Sequence, residues 1–435
     1  MSINERLADA FYEAPVEASM EEQSLLFEEL TASMLSIDRD IDELHRLQDV
    51  YNGVRDLSAM ADAIPRASVE HVAFMQIAGN LATAGSSYNA DLFFPSLESL
   101  VGTHVSNEQI SDVAKKLWAR IVAILKKLAA AFKRFWALAT DANEQIAMAA
   151  VRMQKRANAS AGRVVSNNTI VIAREIGKLT IRGNNPGSGD EIVRGLVNSR
   201  TQLNEILDTY VDNVIKTGKA LETALGNVTT PEAYLSGLMA ASRSLRLPYI
   251  ASALGCKEYR DVRFAKDEVV AAPPILGNRT LFVTPSGYIR RQNPSLLAQA
   301  EAARMVGIRL LYSEPGAPIT TLDYEMSTVP AKVVQSMAKS IIDITDDIRK
   351  FVNGSKRSQL TAEYDKLISA GNGAKSKIYV GHVSESDSRH YESALRFISA
   401  YSSWSQNPHD TMVTHLLSVC RAALVVGNKS LYNHR

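Results

Sequence analysis

Three aspartates in IIDITDDIRKF, Asp343, Asp346 and Asp347, fall close together on an apolar helical stretch. Carboxylates so placed could hold Mg²⁺. No matching second cluster occurs elsewhere in the chain, so they read as a solvated helix face. GNNPGSGD, ahead of another helix, is the nearest approach to a phosphate loop. It lacks the Lys-Ser/Thr pair that would reach the phosphates and the metal, and it is not GxGxxG, so it reads as a plain loop. His409 and His415 are six residues apart, the wrong helical phase for one metal. The two cysteines, Cys256 and Cys420, have no ligand-spaced partner; they cannot build a disulfide framework and fit a reducing compartment. Neither GxSxG nor HExxH occurs. No catalytic residue, metal ligand or cofactor is assigned, and the sequence makes no case for an enzyme.

The residues with most to say are cationic. In DVAKKLWARIVAILKKLAAAFKRFWAL, seven positive charges and no acid lie between Val113 and Ala139. At about 100° per residue, Lys115, Lys126 and Lys133 share one edge of the helix. Lys116, Arg120, Lys127 and Arg134 lie beside them. Leu117, Trp118, Ile121, Leu125, Leu128, Phe132, Phe135 and Trp136 occupy the opposite arc. Arg152, Lys155, Arg156 and Arg163 add charge at the helix end and its exit. Three readings stay open. The aromatic face, with Trp118, Phe132, Phe135 and Trp136, packs on the rest of the fold; or it enters an anionic lipid interface; or the cationic face neutralises nucleic-acid phosphates without reading sequence. The first and third use opposite faces and are compatible. No base-reading fold or zinc finger is visible, so any DNA binding would be non-specific.

The elements around this stretch predict a mainly α chain with a minor β element in the 257–318 region. Residues 1–98 form an acidic helical leader, with Leu30, Met34, Ile37, Ile41, Leu44 and Tyr51 in a short heptad seam. An apolar segment over 69–83 follows Pro65. AGSSYNADLFFPSLESLVGTHVSN then reads as an exposed linker, accessible to a protease. Ser106–Gln109 resembles a helix cap opening the long cationic helix, assigned to 99–160. A helical region (161–256) includes a Val/Ile-rich run at 164–181 that suggests a strand pair, a helix over 190–225 and another over 231–246. A mixed region (257–330) holds strand-like RTLFV and GIRLLY with a helix at 294–306 between them. The C-terminal region (331–435) carries helices at 330–352, 358–368 and 392–424.

The chain has 435 residues and a net charge of +1, an average that hides a division. The first 112 residues hold 20 acids, five arginines and no lysine. Residues 1–98 carry −13 and residues 99–435 carry +14. Such asymmetry points to different partners for the two parts. The chain is 46% hydrophobic, which excludes wholesale disorder. Its longest uncharged run, 71–90, is broken by Gly, Ser, Asn and Gln and does not read as a membrane span. MSINERLADAFYEA is acidic and does not read as a secretory signal.

The acidic Lys-free leader, the hinge FFPSLES and then KKLWARIVAILKKLAAAFKRFW resemble the internal head (core) proteins of large tailed bacteriophages. KLTIRGNNPGSGDEIVRGL and the C-terminal AALVVGNKSLYNHR are similar to segments of that group too. The resemblance implies a non-enzymatic structural protein, made in the bacterial cytoplasm and carried into the prohead with other head or core proteins. It implies cutting by a maturation protease and retention inside the head with packaged phage DNA; some members are ejected with the genome. Such proteases cut after Glu with a small or apolar residue two positions before. Ser96-Leu97-Glu98 fits best, cutting between Glu98 and Ser99, because it sits in the expected linker. Ser68-Val69-Glu70, Pro15-Val16-Glu17 and Ser106-Asn107-Glu108 also fit. The cut would remove an acidic leader and leave a basic body free to associate with DNA. The rival readings are a membrane-active or injected protein working through the cationic helix, and an injected enzyme with an unrecognised site.

Overall fold

The computed structural model describes residues 35, 37–45, 136–172, 175–181, 187–226, 231–260, 268–286, 294–313, 324–378, 397, 400–401, 403–405 and 407–434. The apolar stretch expected at 69–83, the expected linker with Glu98 and Ser99, the expected cap at 106–109 and the part of the expected 99–160 helix before residue 136 lie outside these residues.

The described residues are mainly helical with a minor β component. Helix α1 covers 37–45 and α2 covers 136–159. Strand β1 (Thr169–Ile172) and the short α3 (Ile176–Leu179) follow. The helix predicted over 190–225 is α4 (Gly189–Glu205), a single π turn (Ile206–Tyr210) and α5 (Val211–Gly226), run together without a break. Its start lies in GNNPGSGD: the Ser188 hydroxyl accepts from the Glu191 N–H at 3.4 Å, and the Glu191 carboxylate accepts from the Ser188 N–H at 2.6 Å. That reciprocal cap satisfies backbone donors that a helix start leaves open, and it holds the Glu191 carboxyl below its usual range. The C-terminal half of the loop is therefore a helix start. Helix α6 (Pro231–Ser242) ends in a 3₁₀ turn at Arg243–Leu245, and α7 (Leu247–Ala253), not anticipated from periodicity, follows at once.

Strands β2 (Lys257–Tyr259), β3 (Glu268–Ala271), β4 (Arg279–Ser286) and β5 (Gly307–Tyr312) form an antiparallel sheet in that order. Helix α8 (Leu296–Arg304) lies between β4 and β5 as the sequence suggests. The strand pair expected within 164–181 does not form. Among the described residues of that run β1 is the one strand, and it pairs antiparallel with β6 (Tyr324–Ser327), Thr169 opposite Ser327 and Ile172 opposite Tyr324. Its partner is thus remote in sequence, and the β component reaches beyond 257–318.

Helices α9 (Ala331–Asn353), α10 (Ser355–Ile378) and α11 (His409–Tyr432) complete the fold. The single helix expected over 392–424 is interrupted. Described residues from Phe397 to Trp404 are helical, a turn intervenes, and α11 starts afresh after Pro408. Proline lacks the N–H a helix interior needs, and it disfavours helical backbone in the residue before it.

Helix α11 organises the core. Most of its circumference is buried, with Arg421, Val425 and Lys429 along one partly exposed edge. It packs on α9, α4, α3 and β1. Its buried polar side chains turn inward to the helix: Thr414 donates to the Asp410 carbonyl (3.0 Å), Ser418 to that of Thr414 (3.1 Å) and Asn428 to that of Leu424 (2.9 Å). Gly427 allows α2 to approach, since a Cβ there would lie 2.3 Å from the Met153 sulfur. Among the described residues α11 is the helix long and apolar enough to cross a membrane, yet 83% of that stretch is buried within the protein. One connected core joins α1, α2, α4–α7, α9 and α11 to the sheet.

Candidate functional site

The cationic stripe enters the described structure only at its end. Lys115, Lys116, Arg120, Lys126, Lys127, Lys133 and Arg134 lie outside the described residues, as do Trp118, Phe132 and Phe135. Trp136, the first described residue of α2, is fully buried. Its ring sits 5.4 Å from Phe351 and 6.3 Å from His409, with the Arg357 guanidinium 5.1 Å from its centre. Arg152, Lys155 and Arg156 are spaced three and four apart, so they share one outward face of α2's last turns. Arg156 donates to the Asn428 side chain at 3.1 Å, which ties this cationic end to α11.

A second basic region was not read from the sequence, and it faces the leader. In α1, Ile37, Ile41 and Leu44 are spaced four and three apart and are buried to 5% exposure or less. Between them lie Asp38, Asp40, Asp42 and Glu43, with one base, Arg39. The Asp38 carboxylate accepts from Arg421 of α11, whose other nitrogen donates to the buried Glu175 at 2.6 Å. Asp40 accepts from Gln145 of α2 at 3.2 Å. Asp42 acts electrostatically on Lys178 of α3, where Arg279 of β4 is also close. The heptad seam is therefore legible in sequence, whereas its receptor is assembled from four separate elements. Burial raises the Asp38 carboxyl above its usual range more than Arg421 lowers it. The ion pair thus sets the register of the helix, and the apolar anchors hold it.

The three aspartates of α9 are neither a solvated face nor arranged as ligands. Arg200 of α4 donates to Asp347 (2.6 Å) and Asp343 (3.0 Å). Arg349 pairs with Asp346 and forks onto both oxygens of Glu144 in α2, at 2.7 and 3.0 Å. These pairs bind α9 to both neighbours. Among the described residues no group of three His, Cys, Asp or Glu side chains is placed to hold a metal ion.

The two histidines of α11 are structural neighbours of the core. His415 Nε2 is 2.7 Å from the Leu276 carbonyl, against a turn at Gly277 whose φ is +79°. A Cβ at Gly277 would lie 2.5 Å from the imidazole. Burial pushes both His409 and His415 down to about 3, so both rings are neutral near pH 7. The adjoining Asp410 carboxyl is pushed well up by its burial, partly opposed by Arg357. Cys420 is buried and its thiol is raised to about 12, so it is an unreactive core residue.

A family model described as phiKZ-like phage internal head proteins matches residues 18–429. No curated protein and no solved structure matches the chain.

Proposed function

Because the chain belongs to the phiKZ-like phage internal head proteins, and so resides inside the phage head in a structural role, we propose that it is made as an acidic-leader precursor whose basic body stays with the packaged DNA after the maturation protease cuts between Glu98 and Ser99. The observation that carries this is the division of charge, −13 before that bond and +14 after it. One cleavage then changes the partner of the body. Before it, the leader's acids lie against basic groups of the body, as Asp38 does against Arg421. After it, the positive charges neutralise DNA phosphates non-specifically and release counterions. Arg152, Lys155 and Arg156 extend the stripe that begins at Lys115 and form part of this surface. Other head or core proteins are the structural partners. Contact with a membrane is the weaker reading, since Trp136, one of the aromatic residues it needs, lies in the core.

The test is the N-terminal residue and intact mass of the protein recovered from virions. A chain beginning at Ser99 is expected. A start after Glu17, Glu70 or Glu108 keeps the processing and moves its boundary, while an intact Met1 or Ser2 terminus removes the charge-switch mechanism.

A further inference from the structure

The surface under α1 is built for an anion and an apolar helix together. Its apolar part receives Ile37, Ile41 and Leu44, and its charged rim is Arg421 with Lys178 and Arg279. Glu175 satisfies only one side of Arg421; the other guanidinium nitrogen is directed at Asp38 of the leader. Lys178, half-buried, is acted on electrostatically by Arg279 and by Asp42. His415, on which Lys178, Arg279 and His45 act electrostatically, is neutral in its buried position. Removal of α1 would take Asp38 from the outward nitrogen of Arg421 and the charge of Asp42 from Lys178.

We propose that α1 is an intramolecular competitor: it occupies, in the unprocessed chain, a basic rim that takes up DNA phosphates once the leader has been cut away. This rests on the reading of leader removal given above and adds to it a definite surface and a definite order of events. While the chain is intact, residues 46–135 tether α1 to its site and keep its effective concentration high. A cut in that tether turns docking into a bimolecular equilibrium that depends on dilution. Duplex DNA, present at high local charge density inside a head, can then displace it. The same α1 docked on a second copy of the chain is the alternative occupant, and it leaves the competition unchanged.

The experiment uses the full-length chain and a random duplex of about 30 base pairs, with binding followed by anisotropy across a salt series. Hydrogen exchange of residues 37–45 is followed in parallel. Ile41→Asp is expected to raise exchange across 37–45, to tighten duplex binding at least ~3-fold and to steepen the salt dependence by about two phosphate contacts. Adding Arg421→Gln and Lys178→Gln to Ile41→Asp should cancel the gain. Asp38→Asn with Asp42→Asn keeps the apolar anchors and serves if Ile41→Asp disturbs the fold. In that variant, added duplex should raise exchange in 37–45 more than in the parent. If α1 exchanges freely and duplex affinity and salt slope stay at the parent values, the competition is overturned while DNA association stands. If neither form binds duplex, DNA association itself fails.

Discussion

Helices α1 and α11 both place residues in the one core, and they do so on opposite terms. Helix α11 is buried along most of its surface, and its Thr414, Ser418 and Asn428 donate hydrogen bonds to its own backbone. Among the described residues α1 presents one apolar edge, Ile37, Ile41 and Leu44; its Asp38 and Asp40 reach side chains of other elements, and Arg39 and Asp42 remain exposed. Withdrawing a helix of the first kind would place many apolar side chains in water at once. A helix of the second kind is marginal in isolation and depends on tertiary contact for its existence. The contrast separates an element that makes the body from an element that can be withdrawn from it.

The strongest way to break the contrast is to damage α11. Leu417→Asp puts a carboxylate at a fully buried site with no described partner. It should cost more than about 4 kcal/mol and abolish a cooperative thermal transition followed by circular dichroism. Gly427→Leu should act in the same direction, since its side chain would enter the space of Met153; a loss of about 1–3 kcal/mol is expected from urea unfolding.

Acid should weaken the body through α11 as well. In the folded chain His409 and His415 titrate near 3, against about 6.5 when unfolded. Between those values the unfolded chain binds the protons and the folded chain does not, so stability falls as pH falls from about 6.5 toward 3. Each histidine contributes up to ~1.4 kcal/mol per pH unit within that window. Urea midpoints at pH 7 and pH 5 should differ accordingly, and His415→Asn should reduce the difference. Asp410, whose carboxyl is raised, acts in the other direction: it favours the folded state least above its folded value, so its share of the change opposes the histidines.

Smaller effects should fall on α1. Ile41→Ala should cost about 2 kcal/mol of docking. It should increase hydrogen exchange over 37–45 and leave the main melting transition nearly in place. If the whole chain instead loses stability as one unit, α1 is as integral as α11 and the contrast collapses. Least of all, Arg349→Lys gives up the fork onto Glu144 and should cost about 1 kcal/mol or less in denaturant unfolding, because the pair is partly exposed.

Where periodicity is local, the sequence was a good guide. The long helix over 190–225 ends within a residue of the observed α5, and β4, α8 and β5 lie where RTLFV, the segment after Pro294 and GIRLLY suggest. Where the partner is remote, it was not. A Val/Ile-rich run at 164–181 cannot announce that its extended part pairs with 324–327. Nor can a row of aspartates on α9 show that arginines from α4 and from α9 itself lie against them. The receptor of α1 is the sharpest case. Arg421, Lys178, Gln145 and Arg279 are unremarkable in sequence, and only their meeting makes a site.

By itself the sequence determined the helical class, the seam of Ile37, Ile41 and Leu44, and the sign of the charge on either side of Glu98, because composition and short-range spacing are properties of contiguous chain. Only the tertiary structure decided that Trp136 enters the core, that the α9 aspartates are neutralised by arginine, and that the acidic seam lies against Arg421. Those facts depend on which surfaces meet, and that is set by burying apolar area from the whole chain at once, with each buried charge then required to find a partner within reach.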